Sequence, residues 1–272
     1  LNAMCWRFAF PAKDAAQIPI WLLMRARIAG DGVNYLTPSA SIAGELIRPG
    51  MLGAAAATEV KNTSVVAAKL SQALGQALFI CLGILFVLQG KLNFLRGNQR
   101  LAGLGAALLV VTGVFAALWL LTSQSAVAAV IFNRLGPGLA GIRIRMRDYL
   151  LRHPGRFVAS IVFFMLGYAW GALEVLLICR FMGIAMPAMT ALAVEVLSNL
   201  VDSLMFMVPA KVGTQEAGKT AIFAGLGYAG SQGLAFGLIR HTREIAWASL
   251  GLTLYWLSRR RGARPVSLPS AP

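Results

Sequence analysis

The sequence has few charged residues, and acidic residues are the scarcest. Only 13% of its 272 residues are charged, about half the usual 25% share in a soluble domain. Ten residues are acidic, against 25 lysines and arginines. So little charge leaves too little polar surface to cover a soluble domain of this length. The composition therefore argues against a soluble enzyme.

Histidine and cysteine are also scarce, which removes much of the usual chemistry of active sites. His153 and His241 are far apart and have no partners at metal-ligand spacing. Cys5, Cys81 and Cys179 lie in apolar segments without CxxC spacing, which indicates reduced thiols rather than a disulfide framework. No phosphate-loop, dinucleotide or serine-hydrolase motif is recognisable. We therefore expect no catalytic residue, no metal and no cofactor.

Long apolar runs are what the chain has in abundance, and 58% of its residues are hydrophobic. A helix needs roughly 20 apolar residues to cross a membrane. The runs that reach or approach this length are 65–88, 101–121, 157–179, 187–209, 221–238 and 244–257. They predict an all-α fold, a polytopic integral membrane helix bundle. The alternative, buried helices of a soluble core, is weaker because several runs reach the full spanning length.

The predicted organisation is one transmembrane domain over residues 1–258 and a basic, disordered tail over residues 259–272. Residues 1–10 are apolar but too short to span, so we expect further helices to precede Leu1. Six arginines fall within 123–156 and four more in the tail, and the positive-inside rule makes both stretches cytoplasmic. The loop that carries Lys91, Arg96 and Arg100 then lies on the opposite side, against the rule.

The net charge of +15 also suggests nucleic-acid binding as an alternative. The chain has no soluble domain for that purpose, so we expect no nucleic-acid partner. Basic loops beside membrane spans instead favour anionic lipid head groups. Within the basic stretch, residues 141–151 are expected to form a short amphipathic helix along the membrane surface.

Most of the acidic residues stand within or beside the apolar runs. An ionisable group at membrane depth costs several kcal/mol and usually faces a bundle interior or a wet cavity. The pattern predicts a polar path or pocket inside the bundle. For Glu174 and Glu195, a position near a helix end that reaches water is an equal alternative. The acids concerned are Glu45, Glu174, Glu195, Asp202, Glu216 and Glu244.

Two polar stretches resemble each other and predict broken helices or re-entrant hairpins. In each, proline removes a backbone donor and glycine permits unusual torsions. Paired interruptions of this kind indicate a transporter binding site, and half-helix N-termini with Lys211 beside one of them suit an anionic group. Chance similarity is the alternative, since the glycines do not align. The structural breaks and their glutamates are Pro38, Gly44 and Glu45 in the first stretch, and Pro209, Gly213 and Glu216 in the second.

Further polar residues in apolar surroundings complete the predicted substrate-binding site. Lys69, Gln72 and Gln76 stand at helical spacing and share one face. Arg240 and Glu244 are four residues apart, and either a structural ion pair or a role in binding explains them. A GxxxG motif at 233–237 predicts close helix packing within the chain. The predicted binding residues are Asn34, Glu45, Gln72, Gln76, Lys211, Gln215, Glu216, Arg240, Arg243 and Glu244.

Residues 33–45 and 208–218, followed by 238–244, resemble the flippase-like superfamily named after the transmembrane region of lysylphosphatidylglycerol synthase. The late motif is most similar to its hopanoid-biosynthesis-associated membrane branch. The resemblance extends over about residues 21–256. It implies a multi-pass protein of the bacterial inner membrane that moves or binds a lipid between leaflets. The soluble aminoacyl-transfer domain of the synthase is absent, so its synthase activity is not implied.

The main hypothesis from the sequence is a transporter of a polar or anionic lipid, in which Lys211, Arg240 and Arg243 attract an anionic head group. The expected partners are a membrane lipid and proteins of lipid biosynthesis or export. A membrane-embedded transferase acting on a lipid-linked substrate is one alternative, with Glu45 or Glu216 as general base. A scaffold for lipid-biosynthetic enzymes that transports nothing is the other.

Overall fold

In the computed structural model of this protein, the described residues are 1–37, 43–89, 137–205, 208 and 213–262, with scattered positions between 105 and 130. Over these residues the chain forms ten α-helices and no strand. The helices are α1 Asn2–Phe8, α2 Ala12–Gln17, α3 Ile20–Leu36, α4 Ala43–Met51, α5 Thr58–Gln89, α6 Pro137–Arg152, α7 Pro154–Phe181, α8 Ala188–Leu204, α9 Thr214–Gly225 and α10 Gly230–Gly262.

Two of these helices are long and apolar enough to cross a membrane. They contain the segments Thr58–Leu85 and Pro154–Phe181, which overlap the predicted runs 65–88 and 157–179. Much of the surface of α7 is apolar and exposed, and Phe181 at its end is 89% exposed. An exposed apolar surface of this size suits contact with lipid rather than water. The protein is therefore an all-α membrane helix bundle. Most residues of the predicted run 101–121 lie outside the described residues.

The predicted apolar span over 221–238 is wrong, because these residues do not form one continuous helix. Helix α9 ends at Gly225, a turn follows, and α10 begins at Gly230. Gly227 in this turn has φ +85°, a left-handed conformation that glycine adopts without steric cost. The predicted run 244–257 is the middle of α10, which continues to Gly262 and so passes the expected domain boundary at residue 258. Apolarity alone does not reveal a turn made by glycines.

Glycines also bring α10 close to two neighbouring helices. Against α3, a Cβ atom added at Gly251 would lie 2.3 Å from the carbonyl oxygen of Ile28. Against α9, a Cβ atom at Gly233 would lie 2.6 Å from the carbonyl oxygen of Lys219, and one at Gly237 would lie 3.3 Å from Cα of Glu216. The GxxxG motif therefore packs within the chain, as predicted.

Apolar side chains fill the space between the helices in three clusters. One joins α1, α3, α5 and α6 around Trp6, Phe10, Leu23 and Met146. A second joins α7, α8, α9 and α10 around Val175, Phe223 and Phe236. A third, between α5 and α8, contains Phe79, Ile80 and Val196. The predicted binding residues that the structure describes are buried or half-buried, except for Arg243, which is exposed.

The basic stretch 141–151 is helical, as predicted, and forms part of α6. Met146 and Tyr149 are buried against the first apolar cluster, whereas Ile144 and Leu151 are exposed. The Tyr149 hydroxyl donates a hydrogen bond to the carbonyl oxygen of Phe8 at 2.7 Å, which ties α6 to the end of α1. The position of the exposed face at the membrane surface stays a prediction.

Candidate functional site: buried polar networks beside two short helices

The two predicted broken segments are each followed by a short helix with a glutamate in its first turn. Helix α4 has nine residues and begins two residues before Glu45. Helix α9 has 12 residues and begins two residues before Glu216. Both are shorter than the roughly 20 residues that a spanning helix needs, and a carboxylate in the first turn is favoured by the helix dipole. The re-entrant path itself stays a prediction, since Pro38, Pro209 and Lys211 lie outside the described residues.

The two glycines of these segments serve different purposes, which explains why they do not align. Gly213 is the N-cap of α9 and has φ +78°, a left-handed conformation that favours glycine. Gly44 lies inside α4, where a Cβ atom would come 1.9 Å from the carbonyl oxygen of Gly30. The backbone N–H of Gly44 donates to Oδ1 of Asn34 at 2.6 Å. Asn34 therefore fastens α4 to the end of α3.

The first polar network lies between α3, α4 and α5. Arg48 is buried and contacts two carboxylates, with Nη2 2.5 Å from Oδ1 of Asp31 and Nη1 against Glu45. Nε of Arg27, which is also buried, lies 3.3 Å from Oδ2 of Asp31. Lys69 adds a third cation, with Nζ 3.5 Å from Oε1 of Glu45. Arg27, Glu45 and Arg48 are buried, whereas Asp31 and Lys69 are partly exposed. Each buried ion has a partner of opposite charge, as buried ions require.

A row of polar side chains on α5 extends from the first network to a second. Oε1 of Gln72 accepts a hydrogen bond from Nη2 of Arg27 at 3.1 Å. One turn later, Nε2 of Gln76 lies 3.5 Å from Oδ1 of Asn199 on α8. These contacts agree with the prediction that Lys69, Gln72 and Gln76 share one face. On this face, Gln72 contacts α3 and Gln76 contacts α8.

The second network joins α7, α8 and α10 around a buried guanidinium. Nη1 of Arg240 lies 2.8 Å from Oε2 of Glu195, and its Nε lies 3.5 Å from Oε1 of Glu174. Arg243 contacts the other oxygen of Glu174. Nδ2 of Asn199 donates to Oε1 of Glu195 at 2.9 Å. The proposed intrahelical pair between Arg240 and Glu244 is wrong, because Arg240 is directed toward the acids of α7 and α8.

A third group of polar residues, the α9 cluster, lies where α9 begins against α10 and the end of α3. Nε2 of Gln215 donates to Oε1 of Glu244 at 3.0 Å. The carboxylate of Glu216 contacts Nδ1 of His241. The ring of Tyr35 meets the His241 ring edge-on, with centroids 6.3 Å apart. The α9 cluster consists of Tyr35, Gln215, Glu216, His241 and Glu244.

Nine of the ten predicted binding residues therefore lie in or beside three polar groups, and Lys211 lies outside the described residues. Glu195 is only 5% exposed, so its alternative position at a wet helix end does not apply. Sequence reasoning missed Arg48 and Asp31. The sequence could have indicated both residues, because Arg27 and Asp31 are four residues apart and Glu45 and Arg48 are three apart. Opposite charges at these spacings lie on one helix face and can pair.

Gly171 on α7 provides a test of the second network. A Cβ atom there would lie 2.2 Å from Oε1 of Glu195, so Gly171→Ala should force this carboxylate away from Arg240. We expect a loss of about 1–3 kcal/mol in unfolding free energy, measured by denaturant titration in detergent micelles. Gly155→Ala on the same helix is the control, because no atom lies within 4 Å of its added Cβ. Equal stability of the two variants would contradict the packing of Glu195 on α7.

Residues 1–252 match the protein family described as the lysylphosphatidylglycerol synthase TM region. No curated protein and no solved structure matches the chain. The matched residues include all three polar groups. The match ends within α10, close to the last residues of the bundle that the structure describes.

Proposed function

Because the chain belongs to the lysylphosphatidylglycerol synthase TM-region family, we propose that it is a multi-pass lipid transporter of the bacterial inner membrane. It moves or binds a lipid with a polar head group between leaflets, and a hopanoid-related lipid is one candidate. Its partners on this proposal are the lipid and the proteins that make or export it. The proposal assigns it no enzymatic reaction, since no donor-binding motif accompanies the interior carboxylates.

One observation supports this function most directly: charged groups are buried between the helices of a membrane bundle. A scaffold that only anchors other proteins gains nothing from buried ions, and hydrophobic residues in their place are often equally or more stable. Ionisable residues at membrane depth mark substrate and ion pathways. Two short helices beginning next to these ions give the lipid head a polar surface inside an apolar bundle, while its apolar tail stays in the membrane.

Glu216→Gln tests the transport function. The substitution keeps the shape of the side chain but removes the charge that faces His241, so we expect transport to fall at least about tenfold, the effect of losing a hydrogen bond to a charged group. Folding should be retained. The measurement is translocation of acyl-labelled fluorescent lipids, one with a glycerol phosphate head and one with a sugar head, in liposomes that contain the purified chain.

Glu59→Gln is the matched control, because Glu59 is an exposed acid that pairs with Arg145 away from the polar groups. It should transport at the rate of the unmodified chain. Equal rates for folded Glu216→Gln and the unmodified chain would contradict the role of Glu216. Absence of translocation by the unmodified chain, with any of these lipids, would favour a scaffold instead.

A further inference from the structure

All three polar groups contain buried side-chain atoms without a hydrogen-bond partner in the described part of the chain, but in the two networks most of these atoms face an opposite charge within an ion pair. The α9 cluster is different. Three of its oxygens are buried and have no hydrogen-bond partner among the described residues: Oη of Tyr35, Oε1 of Gln215 and Oε2 of Glu216. Gln215 is only 1% exposed, and its amide nitrogen is already engaged by Glu244. Buried polar atoms are nearly always paired in folded proteins. Unpaired oxygens grouped at one place therefore indicate a site for a ligand that donates hydrogen bonds.

The charges around the cluster argue against an anionic ligand. Glu216 and Glu244 present carboxylates, which repel a phosphate. The cations on the same stretch of α10, Arg240 and Arg243, are already paired with Glu195 and Glu174. Within the described part of the chain, the cluster thus offers acceptors and little donor capacity. The expectation that Arg240 and Arg243 attract an anionic head group is not favoured by this arrangement.

The surroundings also argue against a cationic ligand. Glu216 is met by His241 and lies in the first turn of α9, near the positive end of the helix dipole. Glu244 accepts a hydrogen bond from Gln215. Arg240 pairs with Glu195 and Glu174 rather than with Glu244, but its positive charge still lies only one helical turn from Glu244. Each carboxylate thus has compensation nearby. The α9 cluster therefore has hydrogen-bond acceptors without donors among the described residues, but little charge that lacks an opposite charge nearby.

We infer that the α9 cluster binds a neutral, hydroxyl-bearing head group, such as that of a sugar or polyol lipid. Hydroxyl groups donate to amide and carboxylate oxygens and accept from the Tyr35 hydroxyl, which both donates and accepts. The Tyr35 ring lies edge-on against His241, the residue that contacts Glu216, which places Tyr35 beside the other members of the cluster. The inference rests on the proposed transport function and names the class of lipid that the site takes.

Tyr35→Phe is the most direct test, because it removes a hydroxyl that has no partner among the described residues and keeps the ring against His241. Retention of a glucosyl diacylglycerol by the purified chain should fall about 3- to 10-fold, the effect of one hydrogen bond. The unfolding midpoint should not fall. Native mass spectrometry would compare this lipid with phosphatidic acid and with a diacyl lipid bearing a primary ammonium, all with the same acyl chains.

Tyr149→Phe is the matched control, because its hydroxyl bonds Phe8 far from the cluster. It should lower the unfolding midpoint and leave lipid retention unchanged. Gln215→Met is a second binding variant and should reduce retention of the glucosyl lipid similarly.

The inference is overturned if Tyr35→Phe retains the glucosyl lipid as well as the unmodified chain does, or if phosphatidic acid or the ammonium lipid is preferred. Preference for either of those, with transport still sensitive to Glu216→Gln, would leave the proposed function standing. Loss of all preference and all transport would remove both.

Discussion

Replacing Arg240 with methionine is expected to lower the unfolding free energy by about 3–5 kcal/mol, the usual cost of removing one partner of a buried ion pair. Arg240 is 7% exposed and lies between Glu195 and Glu174. Methionine keeps an apolar stem at this position but removes the guanidinium that lies 5.5 Å from the centroid of the Phe236 ring. A cation–π contact contributes about 0.5–2 kcal/mol, so most of the expected loss comes from the uncompensated carboxylates. Denaturant unfolding in micelles, followed by tryptophan fluorescence, measures it.

A double variant separates charge from packing in the same experiment. Adding Glu195→Gln to Arg240→Met removes the carboxylate that lost its partner, so much of the lost stability should return. Arg152→Met is the control on the surface: Arg152 pairs with Asp148 in an exposed position, and such pairs contribute only about 0–1 kcal/mol. A loss of less than about 1 kcal/mol for Arg240→Met would contradict a buried, ion-paired Arg240.

Adding one methyl group at Gly44 is expected to cost about 3 kcal/mol, the upper part of the range for overpacking a well-packed interior. The new Cβ atom would lie 1.9 Å from the carbonyl oxygen of Gly30 and 2.8 Å from Cγ of Asn34. Backbone atoms cannot rotate away as a side chain does, so α4 must move off α3. That movement breaks the bond between Gly44 and Asn34 and separates Arg48 from Asp31.

The same helix contains a control for this substitution. Gly50 is also in α4, and no atom lies within 4 Å of a Cβ added there. Gly50→Ala should be neutral or stabilising by up to about 1 kcal/mol, because alanine favours the helix over glycine. Thermal unfolding in detergent and lipid translocation should both decline for Gly44→Ala alone. Similar behaviour of the two alanine variants would show that α3 and α4 do not approach so closely.

The sequence by itself determined the class of this protein and the approximate place of its polar groups. The apolar runs near 65–88 and 157–179 are too long for the few polar residues of this chain to shield from water. They correspond to the two membrane-length helices, α5 and α7. Local spacing placed Lys69, Gln72 and Gln76 on one face, because helical periodicity depends only on neighbouring residues. The paired glutamates after proline and glycine likewise marked the first turns of α4 and α9.

Tertiary structure alone decided which polar groups meet. Gln76 and Asn199 are 123 residues apart in the chain, and no local pattern indicates their contact. Glu244 is only four residues from Arg240, yet Arg240 pairs with acids on α7 and α8. A buried charge is costly unless an opposite charge lies beside it, and these acids lie beside Arg240 inside the bundle. The turn at Gly227 and the contact between Gly30 and Gly44 depend in the same way on how closely helices pack. Helix formation is local, whereas the pairing of buried charges is set by the crossing of helices distant in sequence.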